Sequence, residues 1–137
     1  MGPVTAFCNI HWPSVFAAAV AAFVIGALWY SPLLFGNAWA KELKLTKAKL
    51  GKANMPLIFG CAFALTLIGA VVLDILMGEI ASPATGLLFG LLIGAAFIGT
   101  AVGINYLFAR KSAKLFFIDA GYFVVLYAVM GIVLAAW

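Results

Sequence analysis

Apolar residues fall in four long runs, at about 13–35, 56–77, 83–108 and 115–137, with short polar stretches between them. About 20 apolar residues carry a helix across the hydrocarbon core of a bilayer, and each run reaches or approaches that length. The runs are apolar all round. Membrane β-strands would instead alternate apolar and polar residues over about 10 positions. The pattern predicts an all-α membrane protein of four transmembrane helices, forming a single domain over residues 1–137.

The boundaries are marked locally. Pro13, Pro56 and Pro83 stand at helix starts, where the missing N–H costs nothing. Asn54 and Ser82 are placed to cap the second and third helices. Ser31-Pro32 interrupts the end of the first run, since proline removes a helical hydrogen bond and restricts the residue before it. The helix is expected to stop near Tyr30, with residues 33–35 turning along the interface; a kinked continuation is the alternative. The first run lacks a basic leader and a clear cleavage site, so it is read as a retained helix.

Composition agrees. Of 137 residues, 67% are hydrophobic and 9% charged, and the mean hydropathy is +1.22. Soluble domains carry roughly 25% charged residues. This chain has too few polar side chains to cover a soluble fold, and lipid takes the place of water over much of its surface.

The net charge of +4 gains meaning from its placement. Lys41, Lys44, Lys47, Lys49 and Lys52 lie between the first two helices; Arg110, Lys111 and Lys114 lie between the last two. These are all the basic residues. Four crossings put both loops on one side, which the positive-inside rule makes the cytoplasm, with both termini and the Glu79 turn outside. The lysines and Arg110 then meet anionic headgroups. Nucleic acid is not an expected partner, because a soluble basic face with interleaved aromatics is missing. Trp12 and Trp137 mark the outer interface, and Trp29, Tyr30, Trp39 and Tyr106 the inner one. Trp39, Leu43 and Leu50 share a helical face, so residues 39–52 lie along the inner interface or form a solvated loop.

Candidate chemistry is sparse. Gly-rich phosphate loops, paired cysteine motifs and histidine pairs are absent from the sequence. Cys8 and Cys61 differ in depth, which argues against a disulfide. His11 is the one histidine, and a single histidine makes a poor metal site. No metal, cofactor or enzymatic activity is expected. Asp119 is the most informative residue. It lies five residues beyond Lys114, roughly 7 Å into the last helix, and Asn105 lies five residues before Arg110 on the neighbouring helix. Tyr106, Tyr122, Tyr30 and Ser31 reach the same layer. Together they predict an inner polar cluster. An ionisable residue at membrane depth is a functional candidate; the structural alternative pairs Asp119 with Asn105, with Lys114 or Arg110, or with a helix end. Asp74 is expected to be solvated beside Glu79.

Small residues form ridges that let helix backbones approach. Ala18, Ala22 and Gly26 recur every fourth residue in the first helix, and Gly86, Gly90 and Gly94 in the third. At 100° per residue, Gly99 and Gly103 point to nearly the opposite side of that third helix. It is therefore expected to have two close-packing faces, one for the bundle and one for a second subunit.

Several segments resemble one family. Trp29-Tyr30-Ser31-Pro32 with Phe35-Gly36 and Trp39 is similar to the signature ending the first helix of the uncharacterised bacterial family "domain of unknown function seventeen sixty-one". Asn105-Tyr106-Leu107-Phe108, Arg110-Lys111-Ser112, Lys114-Leu115-Phe116 and Asp119-Ala120-Gly121-Tyr122 resemble its last hairpin. So does Met130-Gly131 with Trp137. The resemblance covers nearly the whole chain and implies a multi-pass protein of the bacterial inner membrane, with no established activity. Two features depart from it. Similar proteins carry a histidine after the Gly-Tyr pair, where this chain has Phe123, and acidic residues in the first inner loop, where it has Lys47 and Lys49.

Two functions remain in view. The first is a self-associating or accessory assembly subunit, its partners being lipid, further copies of itself or a larger membrane complex. The alternative is a small oligomeric channel or transporter for an ion, a proton or a small solute, with Asp119, Asn105, Tyr106 and Tyr30 lining its inner end.

Overall fold

A computed structural model describes residues 9–78 and 82–137. The Cys8 and Glu79 expectations lie outside them, as do the side chains of Lys47 and Leu50. The elements are α1 (Trp12–Trp29), α2 (Gly36–Glu42), α3 (Lys47–Gly51), α4 (Met55–Met77), α5 (Pro83–Phe108) and α6 (Ala113–Ala136). Helices α1, α4, α5 and α6 are long and apolar enough to span a membrane. No strand occurs among the described residues.

The local signals act as their chemistry dictates. Asn54 accepts the Leu57 amide at 3.2 Å, and Ser112 accepts that of Leu115 at 3.0 Å, each capping a helix. Ser82 stands at the N-cap of α5 without a side-chain cap bond. Helix α1 stops at Trp29 and does not run on to residue 35. The Trp29 carbonyl accepts the Phe35 amide at 2.9 Å and the Ser31 carbonyl accepts the Gly36 amide at 2.9 Å, folding the chain into a tight turn. A side chain at Gly36 would strike the Tyr30 carbonyl, so glycine is required there by close approach.

Residues 39–52 do not form one interfacial helix. Lys44 adopts a left-handed φ of 57°, and its neighbours close a Schellman motif: Leu45 donates to the Ala40 carbonyl at 2.9 Å and Lys44 to that of Lys41 at 3.1 Å. The same motif ends α5, where Arg110 has φ 57° and Lys111 donates to Tyr106 at 2.9 Å. Both basic loops thus break their helices in the same way.

Helix α6 is the hub. It buries 44% of its most apolar stretch, against 11% for α4. It packs along α5 and α1, with α2 across its start, while α4 leans mainly on α1. Val15, Ala18, Ala22, Ala70, Leu73, Leu126, Met130 and Leu134 share one core cluster. Apart from Ala22, just past the middle of α1, these residues lie in the halves of α1, α4 and α6 nearest the His11–Trp137 end, where those two rings are 6.0 Å apart.

The α5–α6 contact is backbone on backbone. A Cβ at Gly86 would strike the Gly131 carbonyl, one at Gly90 the Tyr127 carbonyl, and one at Gly94 would come within 2.8 Å of Val124 Cα. Gly103 does not point away from α6, as expected of a second glycine face. Residues Ile93–Gly99 form a π-helical segment, whose wider turn takes up one extra residue. Gly99 therefore follows Gly94 by five residues and stays on the same side, and a Cβ at Gly103 would meet the Phe116 ring of α6 at 3.2 Å. Thr100 supports this segment: its hydroxyl donates to the Ala96 carbonyl at 2.7 Å and the Phe97 carbonyl at 3.1 Å.

Candidate functional site

The stop after Trp29 leaves Trp29 and Tyr30 facing the start of α6. The Trp29 indole Nε1 donates to the Ile118 carbonyl at 2.9 Å. The Tyr30 hydroxyl donates to Asp119 Oδ1 at 2.6 Å. From α5, the Tyr106 hydroxyl donates to Asp119 Oδ2. Asp119 is only 7% exposed, and each carboxyl oxygen has its own phenol donor. Three helices meet on one side chain.

Aromatic rings enclose this contact. Tyr30 lies edge-on to Trp39 at 5.5 Å and to Tyr122 at 5.3 Å. Trp29 lies tilted against Phe35, ring centres 4.7 Å apart, and covers Gly121, whose Cβ would meet the Trp29 ring at 3.2 Å. The motif ending α1 and the motif starting α6 are thus two halves of one structure. Phe123 stands where the family resemblance suggests histidine, and its ring packs 5.3 Å from Tyr122.

Two members of the expected cluster are elsewhere. Asn105 is exposed and does not bond Asp119; Tyr106, its neighbour about 100° around the helix, holds that position. Ser31 turns back to donate to the Leu28 carbonyl at 2.7 Å, closing the end of α1. Arg110, Lys111 and Lys114 are exposed and do not supply the counter-charge considered for Asp119. A further link ties the two basic loops: Ser112 Oγ donates to Glu42 Oε2 at 2.7 Å. The remaining basic residues with described side chains, Lys41, Lys44, Lys49 and Lys52, are exposed.

Of the expected packing residues, Ala18, Ala22, Gly26, Gly86, Gly90, Gly94 and Gly103 meet other parts of the chain, whereas Gly99 faces only its own helix. Ala18 and Ala22 are fully buried in the core, and a Cβ at Gly26 would come within 2.7 Å of the Tyr122 hydroxyl. Gly60 and Ala64 on α4 behave otherwise. Both are exposed, and nothing lies within 4 Å of a Cβ at Gly60. This small-xxx-small pair is inconspicuous in the sequence beside the longer stripes of the first and third helices.

The opposite end holds a second polar group. Asp74 is half-buried and not simply solvated, with the His11 backbone N–H beside it. His11 Nδ1 is 2.9 Å from Ser14 Oγ, and that buried hydroxyl donates to the His11 carbonyl at 2.9 Å. Among the described residues, no group of three His, Cys, Asp or Glu side chains is arranged to hold a metal.

The model of the family described as "Protein of unknown function (DUF1761)" matches residues 13–135, and the chain belongs to that family. No curated protein and no solved structure matches it.

Proposed function

We propose, with membership of this uncharacterised family as the premise, that the chain is a non-catalytic membrane subunit that works by association. It packs against a second copy or a larger membrane assembly through α4, with its basic loops on the cytoplasmic side of a bacterial inner membrane. The observation that carries this reading is the contrast between α4 and the rest of the bundle. Ala18, Ala22 and Gly26 of α1 and Gly86, Gly90, Gly94 and Gly103 of α5 meet other parts of the chain, whereas α4 presents Gly60 and Ala64 on an open face. Such pairs let transmembrane helices approach closely.

The Asp119 contact supports the same reading. A carboxylate whose two oxygens are engaged by Tyr30 and Tyr106 serves as a clamp on α1, α5 and α6. The channel or transporter alternative requires one of these phenols to leave before the carboxylate can meet an ion or a proton.

Cys61 supplies a native reporter, since it is free, exposed and adjacent to Gly60. In membranes containing a Cys8→Ser variant, mild oxidation should give a disulfide-linked dimer through Cys61, and Gly60→Leu should suppress it. Monomer under oxidation, together with a monomeric mass in mild detergent, would contradict self-association. Co-purification of a different membrane protein that Gly60→Leu releases would assign the face to a larger assembly.

A further inference from the structure

The π-helical segment leaves a space as well as a register shift. A groove of about 330 Å³ lies between α5 and α6, lined by Ala95, Gly99, Gly103, Phe116, Phe117 and Ala120 among others. A Cβ at Gly99 would meet only the Gly94 carbonyl of its own helix, so α6 does not fill the gap.

The groove is apolar along its walls and cationic at one end. Lys114 precedes Phe117 by three residues and Gly121 by seven, so it shares their face of α6. Lys111 and Arg110 lie in the adjoining turn, and all three cations are exposed. The acids of this end are engaged elsewhere: Glu42 with Ser112, Asp119 with the two tyrosines.

We propose that this groove binds one anionic phospholipid, with an acyl chain between Gly99 and Phe117 and the phosphate at Lys111 and Lys114. Basic pockets between transmembrane helices take such headgroups. The three exposed cations complement the charge of an anionic headgroup, and the apolar walls match an acyl chain.

The test compares phosphatidylglycerol with phosphatidylcholine of the same chains, counting lipids retained on the intact protein by mass spectrometry. Wild-type protein should retain one phosphatidylglycerol in preference to phosphatidylcholine. Lys111→Gln and Lys114→Gln should each lower that preference about fivefold, the effect of one basic residue near a headgroup. Ala95→Phe, which fills the groove from an exposed position, should reduce retention of both lipids while leaving helicity unchanged. Phe117→Trp, which enlarges an exposed ring on the opposite wall, repeats the test if Ala95→Phe misfolds. Equal retention of the two lipids by wild-type protein, or undiminished retention in a folded groove-filling variant, would overturn the proposal. So would a lipid-free dimer that either variant dissociates, since the occupant would then be a second copy.

Discussion

The Tyr30 hydroxyl reaches across 89 positions of chain to Asp119 Oδ1, 2.6 Å away, while the preceding Trp29 bonds the preceding Ile118 carbonyl. Two consecutive residues of one helix end thus grip two consecutive residues of another. A pair of adjacent contacts fixes both the rotation and the depth of α1 against α6, which a single contact would not.

Tyr30→Phe removes one donor from a buried carboxyl group. Loss of a partner costs about 1–3 kcal/mol in soluble proteins, and polar contacts between membrane helices average about 0.6 kcal/mol. We expect a loss of about 1 kcal/mol. The double variant with Asp119→Asn should be less destabilised than the sum of the single ones, because both act on one contact. Reversible unfolding in mixed micelles gives the three values; strict additivity would show that the hydrogen bond is energetically idle.

The glycines should differ sharply by position. Gly90→Leu must displace the Tyr127 backbone and should cost about 3 kcal/mol or more, or prevent folding. Gly103→Leu meets only the movable edge of Phe116 and should cost less. Gly60→Leu should leave monomer stability unchanged. Thermal unfolding of the three proteins checks the order; equal losses would contradict the packing described.

A single deletion inside a helix normally rotates everything beyond it by about 100°. Deleting Ala96 should be an exception. The π-helical turn holds one residue more than an α-helical turn, so its removal can regularise α5 and still leave Gly103 and Tyr106 facing α6. The variant should fold with its melting temperature only modestly lowered, whereas deletion of Val125 from α6 should abolish folding. Failure of both deletions alike would indicate that the wide turn is indispensable in itself.

Much of this architecture is legible in the sequence. The four spans, the prolines at their starts and the Asn54 cap follow from run length and local chemistry. Asp119 and Tyr106 meet because they lie seven and six residues from Ser112 on the two arms of one hairpin and so share a depth, a layer that Tyr30 reaches from the end of α1. Depth is easy to count, but azimuth is not: Asn105 and Tyr106 share a level and differ by about 100°, and only packing decides which one turns inward. The π-helical segment has no signature in an apolar run, so a 100° count carried past Gly94 misplaces Gly99 and Gly103. The hub position of α6 is also hidden, since Gly131 is a lone glycine until Gly86 is seen against it.

Sidedness is open to direct measurement. The separation of all eight basic residues into two loops predicts that those loops face the cytoplasm. In a protein carrying Cys8→Ser and Cys61→Ser, cysteines introduced at Lys49 and Lys111 should resist a membrane-impermeant thiol reagent in intact cells and react after permeabilisation. Labelling of either position from outside would invert the topology.

The central claim is that Asp119 clamps three helices of an associating subunit and does not conduct. Flux in liposomes carrying a proton or potassium gradient tests it most directly, with wild-type protein and Asp119→Asn measured side by side. An amide keeps the size of the carboxylate but offers neither its charge nor its titratable proton. The clamp predicts that wild-type protein conducts no faster than empty liposomes and that Asp119→Asn changes stability alone. Wild-type flux that vanishes in a folded Asp119→Asn protein would contradict the account and make the carboxylate part of a path.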